Sequence, residues 1–317
     1  MAESNKYYGV AKDIAEELKV YELKYFREDK PVPFCGLYIY PATMHDYEAF
    51  SNCSSCLTLN KNEDPAGIRM SQLDYLISKT QIQGEEGSLW SYKIQKLFEI
   101  IFHIKNGLKC KKCGRVLAYD SPEFLNFIET AKKAETTDDI SQLLKCPDCE
   151  GNEFLEMIKI LKDAKTNKYS LIIDGHTINK KDYDRLRQIV LFQNYPEYRD
   201  DSWVDVAVKQ DYDERMKIKH NQNKLEASVE RKIVCLSIAT NYTFEQIYNM
   251  SIRKFMMALN IVDDLINYKI MKTAAMSGFV SLPKGQTIEH WIYKEEKDMY
   301  GDSYKSKDEL DSQVSSL

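Results

Sequence analysis

Four cysteines occur as two Cys-x-x-Cys pairs, and these pairs have the clearest chemical meaning in the chain. The first pair is Cys110 and Cys113, the second is Cys146 and Cys149, and 32 residues separate Cys113 from Cys146. Two intervening residues let both sulfurs of a pair turn to the same side, so two pairs suit a tetrahedral structural zinc site. Four thiolates leave no position for water, so the metal would hold structure rather than catalyse a reaction. We therefore predict one structural Zn²⁺ per chain.

The residues around the pairs fit such a site. Gly114 directly after the first pair suits a tight knuckle, because a side chain would crowd the returning backbone there. Pro147 stiffens the second pair. The alternative is two disulfides or four free thiols. Disulfides need an oxidising compartment, and the start of the sequence shows no signal peptide, so we favour zinc.

The linker between the pairs is longer than the roughly 12–20 residues that are usual between zinc-binding pairs. Its composition predicts helix: Ser121 is a good N-cap, and Pro122 stands at the first position of a helical stretch that reaches Lys133. A second short helix is predicted over 138–144. The metal is therefore expected to pin a helical insertion at its root.

Other chemically capable residues have simpler interpretations. A third pair, Cys53 and Cys56, could be half of a metal site or a redox pair, but it continues an apolar helix face and is interpreted as packing. His103 lies near the first pair and could be a spare ligand, although four sulfurs suffice. Adjacent Asp263 and Asp264 diverge by about 100° around a helix, so a solvated face is favoured over a carboxylate site.

Basic residues crowd the first cysteine pair. They are Lys105, Lys109, Lys111, Lys112 and Arg115. One interpretation is a small basic patch for nucleic acid or an acidic partner. The other, which we favour, is compensation for the net charge of about −2 that a zinc with four thiolates carries.

The composition narrows the class of protein. The chain has 317 residues, 43% hydrophobic residues, a net charge of −5 and a pI of about 5.7. An acidic balance argues against a surface built wholly for nucleic acid, and no apolar run approaches the roughly 20 residues of a membrane span. Phosphate-binding loops, zinc-protease motifs and nucleophile elbows are absent from the sequence, so no catalytic residue and no organic cofactor is predicted.

Periodicity predicts a mainly α-helical protein with one small β-hairpin, that is, a multi-helix scaffold carrying an inserted four-cysteine zinc-ribbon or knuckle element. Helical spacing recurs along the chain, including a short helix over 154–161 and helix starts at Thr43 and Ser88. Asp174-Gly175 between β-rich runs predicts a two-residue hairpin turn. Asn179, Thr243 and Ser251 are predicted N-caps.

Composition shifts divide the chain into six predicted segments, with the preferred domain boundary at 196–203. The segments are 1–105, a mostly helical N-terminal domain; 106–152, the zinc-binding insertion; 153–200, helix, hairpin and helix; 201–226, an exposed helical connector; 227–293, a C-terminal helical module; and 294–317, a disordered tail.

Several stretches together resemble a family of tailed-phage and prophage proteins grouped with tail morphogenesis, some of them treated as tail assembly chaperones. The stretches are 40–47, 70–76, 169–178, 182–194, 247–255, 268–279 and 290–291. These are packing motifs, and the zinc pairs lie where a variable insertion is expected. The resemblance implies a non-enzymatic assembly factor in the cytoplasm of the bacterial host cell, binding a phage structural protein such as the tape measure or tail tube.

Two other functions stay open. One is a zinc-containing nucleic-acid or transcription-machinery binder that acts through Lys109 to Arg115. The other is a structural component that remains in the phage tail or baseplate.

Overall fold

The computed structural model describes residues 7, 10–131, 145–163, 169–200, 208–212, 214–215, 227–277, 288 and 290–292. The chain forms two compact units. One is Lys12–Tyr195, and the other comprises Met1–Ala11 with Pro196–Leu317.

Helices make up most of the described residues, and the prediction of a mainly α-helical protein is confirmed. The helices are α1 (Lys12–Lys24), α2 (Tyr47–Cys53), α3 (Ser55–Thr58), α4 (Gln72–Thr80), α5 (Glu85–Phe102), α6 (Pro122–Ala131), α7 (Lys180–Asn194), α8 (Val229–Thr240), α9 (Phe244–Tyr248) and α10 (Ile252–Met276). The strands are β1 (Val32–Phe34), β2 (Leu37–Ile39), β3 (Gly107–Cys110), β4 (Val116–Ala118), β5 (Phe154–Glu156), β6 (Ile158–Lys162), β7 (Tyr169–Ile173) and β8 (His176–Ile178).

The strands form three small antiparallel sheets, where the sequence predicts one hairpin. Their orders are β1-β2, β4-β3-β5 and β6-β7-β8. The predicted hairpin is β7–β8, whose turn residues Asp174 and Gly175 have φ values of 46° and 80°. Positive φ at both positions matches the twist of the flanking strands, so the prediction of this turn is confirmed.

Helix α7 forms the centre of the unit Lys12–Tyr195. Every residue from Leu186 to Asn194 on this helix is buried, and it contacts α1, α3, α4 and β8. Two of its polar side chains bond to neighbouring backbone: the Asn194 side chain accepts from the Ala42 N–H at 2.8 Å, and the Tyr183 hydroxyl donates to the Cys56 carbonyl at 3.1 Å. These bonds allow a helix with polar residues to lie inside the core.

The predicted short helix over 154–161 is wrong, because these residues form β5 and β6. Phe154, Met157, Ile158 and Leu161 follow helical spacing, but the same stretch also fits a strand. These residues form strands because β3 and β7 provide hydrogen-bonding partners for their backbone groups.

Some of the predicted helix N-caps are confirmed, and others are wrong. Asn179 and Thr243 each make a complete capping box, and the Ser251 hydroxyl accepts from the Lys254 N–H. Ser88 is not a cap, because α5 begins at Glu85 after Gly84. Thr43 precedes a short 3₁₀ helix, but its side chain accepts no bond from a helix N–H, and its hydroxyl donates to Asp46 instead.

In the second unit, α8 contacts both α9 and α10. Two predicted segments lie wholly outside the described residues, namely the second inserted helix at 138–144 and the tail at 294–317, and most of the connector at 201–226 lies outside them as well. Residues 208–212 and 214–215 of the connector are helical. The division into six segments stays a prediction.

Candidate metal centre

The two Cys-x-x-Cys pairs form two turns with the same backbone hydrogen bonds. In the first, Cys110 N–H donates to the carbonyl of Arg115 at 2.8 Å, and Gly114 N–H donates back to Cys110 at 2.9 Å. In the second, Cys146 N–H donates to Gly151 at 2.8 Å, and the residue before Gly151 donates back to Cys146 at 2.8 Å. The first turn joins β3 to β4, and the second leads into β5. The result is a three-stranded ribbon with a knuckle formed by each pair.

Each turn has a residue with positive φ one position after its second cysteine. Gly114 has φ 78°, and Glu150 has φ 57° at the equivalent position. The expected tight turn at Gly114 is therefore present. A left-handed backbone costs a residue with a side chain roughly 1–2 kcal/mol, so the second turn forms despite its side chain.

The four sulfurs lie together. Cys110 Sγ is 3.6 Å from Cys149 Sγ, and Cys113 Sγ is 3.4 Å from Cys146 Sγ. All four sulfurs lie within 4.8 Å of one another. Zn–S bonds of about 2.3 Å in a tetrahedron place sulfurs about 3.8 Å apart, so these separations fit one metal ion. The four cysteines could hold a single metal ion, and their identity as zinc ligands stays a prediction.

Backbone N–H groups favour the thiolate forms of Cys110, Cys113 and Cys149, but burial and hydrogen bonds with the neighbouring thiols raise the pKa of Cys113 to about 12 and also raise the pKa of Cys149. The N–H groups of Cys113 and Lys112 lower the pKa of Cys110 to about 7, against the smaller opposing effect of burial. A thiolate is the form that binds metal, so these donors prepare Cys110 as a ligand.

Gly151 closes the site on one side. A Cβ atom at this position would lie 3.3 Å from Cys149 Sγ and 3.4 Å from Cys110 Sγ. The Cβ atom of Lys112 would also lie 3.3 Å from this added Cβ atom. The absence of a side chain at Gly151 therefore leaves room for two of the four ligands.

Four of the five basic residues near the ribbon contact an acidic group or a backbone carbonyl, and several of these contacts lie on the exposed surface. Lys109 pairs with Asp174 at 2.5 Å, and Lys111 pairs with Glu153 at 3.1 Å. Three further contacts complete the set: Arg115 with Asp148, Arg115 with Glu123 at 3.4 Å, and Lys112 with the Cys149 carbonyl at 3.2 Å. Much of the positive charge is matched within the fold, which weakens the interpretation of a nucleic-acid patch.

One residue, Met157, joins the ribbon to the next sheet. Its N–H donates to Gly107 at 2.9 Å, and its carbonyl accepts from Asp174 at 2.7 Å. Met157 is buried, and the Lys109–Asp174 ion pair lies beside the same junction. The ribbon and the β6-β7-β8 sheet therefore share one continuous stretch of backbone.

The remaining sequence candidates do not join the site. Cys53 and Cys56 are buried on α2 and α3, where burial raises the pKa of the Cys56 thiol to about 12. His103 ends α5 and stacks on the Tyr40 ring, with 4.0 Å between centroids, and burial lowers its pKa. Asp263 accepts a hydrogen bond from Asn267 at 3.2 Å. Over the described ranges, Cys110, Cys113, Cys146 and Cys149 are the one group with metal-ligand geometry.

Sequence reasoning found the four cysteines but missed the matched hydrogen bonds, the closeness of Gly151 and the junction at Met157. The sequence does contain a signal for Gly151, because this residue follows Cys149 by two positions just as Arg115 follows Cys113. No signal in the sequence points to Asp174 as the partner of Lys109, because the two residues lie 65 positions apart.

No curated protein sequence and no solved structure matches the chain. Within the described ranges, none of the helices has the length and apolarity that crossing a bilayer requires. Residues 219–296, which include α8, α9 and α10, match the family described as the YomV second domain, a domain of phage and prophage type.

Proposed function

We propose that this protein is a non-enzymatic phage tail assembly factor of chaperone type, acting in the host cytoplasm. It would bind an amphipathic helix of a phage structural protein, such as the tape measure, and keep it from aggregating before the tail assembles. One structural zinc held by the four cysteines would stabilise the ribbon. The match to a phage-type domain and the form of α10 support this proposal.

The observation that carries the proposal is the apolar stripe of α10. The stripe consists of Ile252, Phe255, Leu259, Val262, Ile266 and Ile270. Spacings of three and four residues keep these side chains on one face of the helix. Its first members, Ile252 and Phe255, are buried, whereas Ile266 is 46% exposed and Ile270 is 60% exposed. The stripe thus continues from the core onto the surface.

The chain after α10 contacts the other side of this helix. The His290 ring packs on Tyr268 with 5.0 Å between centroids. Tyr268 is two residues from both Ile266 and Ile270, which places it roughly 160–200° around the helix from them. Among the described residues, this contact leaves the exposed part of the stripe open to a partner helix.

The ribbon contributes stability rather than chemistry. A closed set of four thiolates offers a bound metal no open position for substrate or water. Cys110, Cys113, Cys146 and Cys149 would bind the ion, and the N–H donors around them would hold the thiolates. Charge-paired lysines beside the site favour this function over nucleic-acid binding.

Co-expression with the tape-measure and tail-tube proteins of the same phage tests the proposal. We expect the protein to co-purify with the tape measure and to keep it soluble. Ile266→Glu and Ile270→Glu should each weaken binding by about tenfold to a hundredfold, because burying one isoleucine contributes about 1.5–3 kcal/mol.

Ile261→Glu is the matched control. Ile261 is 44% exposed on the same helix, and five residues place it about 140° around the axis from Ile266. Equal losses from all three variants would contradict binding through the stripe. Mass spectrometry of purified particles separates the alternative functions: an assembly factor is absent from them, and a tail or baseplate component is present.

A further inference from the structure

The cysteine sulfurs contact one another across the two knuckles. Cys110 Sγ lies 3.6 Å from Cys149 Sγ, and Cys113 Sγ lies 3.4 Å from Cys146 Sγ. Each of these contacts joins a sulfur of the first knuckle to a sulfur of the second. A disulfide bond is about 2 Å long, so side-chain rotations that shorten each contact by about 1.5 Å would link the knuckles covalently.

Each contact pairs an accessible cysteine with a buried one. Cys113 is exposed and Cys149 is partly exposed, whereas Cys110 and Cys146 are each 1% exposed. A small oxidant in solvent reaches the accessible thiolates first. The buried sulfur behind each of them is then in position to attack the oxidised sulfur. Each contact therefore contains one sulfur that an oxidant can reach and one that can complete a disulfide.

The strands hold the second knuckle beside the first. Cys110 lies opposite Phe154 in the pairing of β3 with β5, and Lys111 N–H donates to the Glu153 carbonyl at 2.9 Å. In an unfolded chain, bonds between the knuckles would have to close loops of 39 and 33 residues, whereas a bond within a Cys-x-x-Cys pair closes a much shorter loop at a lower entropic cost. Bonds between the knuckles therefore depend on the folded ribbon.

We propose that peroxide converts the metal-binding ribbon into a disulfide-linked ribbon, with bonds between Cys110 and Cys149 and between Cys113 and Cys146. The ribbon is then a redox switch: its sulfurs bind a metal ion when they are reduced, and they link the knuckles to each other when they are oxidised. This inference rests on the four-cysteine site and is independent of the proposed role in tail assembly.

One molecule of hydrogen peroxide supplies the oxidising equivalents for each disulfide. The Cys113 thiolate attacks a peroxide oxygen and becomes a sulfenic acid, and the other oxygen leaves as hydroxide. The Cys146 thiolate then attacks the sulfenic sulfur, forms the disulfide and releases a second hydroxide. Both hydroxides take up a proton and become water. Cys149 and Cys110 react in the same way, and the sulfurs lose the negative charge with which they bind metal.

The test is disulfide mapping of the full, metal-loaded chain after treatment with hydrogen peroxide. Cleavage after lysine and arginine and before Asp148 places each of the four cysteines on a separate peptide. We expect Cys110 linked to Cys149 and Cys113 linked to Cys146, together with loss of stoichiometric zinc. Links within either Cys-x-x-Cys pair, the opposite links between the knuckles, or sulfonic acids in place of disulfides would each overturn the proposal.

Oxidation of the same chain in denaturant with a chelator is the matched control. Links within each Cys-x-x-Cys pair should predominate there by roughly tenfold or more, because the shorter loops close more readily. Identical links with and without denaturant would show that the folded ribbon does not direct the pairing, and would overturn the proposal.

Hydrogen exchange tests whether the oxidised ribbon stays closed. The amides of β3 and β5 should exchange roughly tenfold or more slowly in the oxidised, metal-free chain than in the reduced, metal-free chain, because links between the knuckles restrict opening. Reduction with a dithiol and addition of zinc should restore the original metal content. Equal exchange in the two metal-free forms, or a metal content that reduction fails to restore, would contradict a reversible switch.

Discussion

The sharpest prediction concerns the positive φ at Glu150. Glu150→Gly should strengthen the second knuckle, because glycine adopts the left-handed conformation without a steric cost. Glu150→Ala is the matched control, since it removes the same charge but keeps a Cβ. Glu150 is exposed, so neither change leaves a cavity.

The magnitude follows from two opposing effects. Relief of the left-handed strain contributes about 1–2 kcal/mol to the folded state. Glycine also makes the unfolded chain more flexible, which costs about 0.4–1 kcal/mol relative to alanine. The Gly variant should therefore be more stable than the Ala variant by roughly 0.5–1 kcal/mol, which is about two- to fivefold in an equilibrium constant.

The assay is metal affinity measured by competition with a chelator, because folding of such a ribbon and binding of its metal are coupled. Gly114→Ala gives the reverse comparison in the first knuckle. No atom lies within 4 Å of a Cβ built at Gly114, so its loss of affinity would report backbone strain alone. Equal affinities for Glu150→Gly and Glu150→Ala would refute the strain explanation.

Three further predictions concern the ribbon. Gly151→Ala should weaken metal binding by about tenfold, because its Cβ would crowd two sulfurs, and chelator competition measures the loss. Cys110→Ser and Cys149→Ser should each abolish stoichiometric zinc in elemental analysis, with hydrogen exchange rising first over 107–156; full metal content in either variant would contradict the four-sulfur site. Replacing Lys111 and Lys112 with Glu should leave nucleic-acid binding unchanged at its background level, and a salt-dependent affinity that this change abolishes would restore the nucleic-acid interpretation.

Local signals in the sequence predict local structure well. The Asp174-Gly175 turn and the caps at Asn179 and Thr243 depend on neighbouring residues, so their chemistry is visible in a short window. The closeness of the four cysteines depends on two separated segments, and it was predictable because two Cys-x-x-Cys pairs are the ligand pattern of a single four-thiolate metal site.

Features that depend on distant partners were not predictable. Residues 154–161 satisfy helical spacing, and only the presence of β3 and β7 decides for strand. The sequence analysis interprets Lys109 as compensating the charge of the metal site, whereas in the structure it pairs with Asp174 in the turn of a different sheet. Both outcomes are set by tertiary contacts that one sequence does not encode in its periodicity.

Through Met157, a metal ion bound by the four cysteines would also affect the register of the β6-β7-β8 sheet. β5 and β6 meet at Met157, where the chain bends, so the alignment of β5 on β3 also influences which residues of β6 meet β7. A shift by one residue would turn every side chain of β6 to the other face. An ion clamped at the end of β3 would thus act as an alignment pin for a sheet that it never touches.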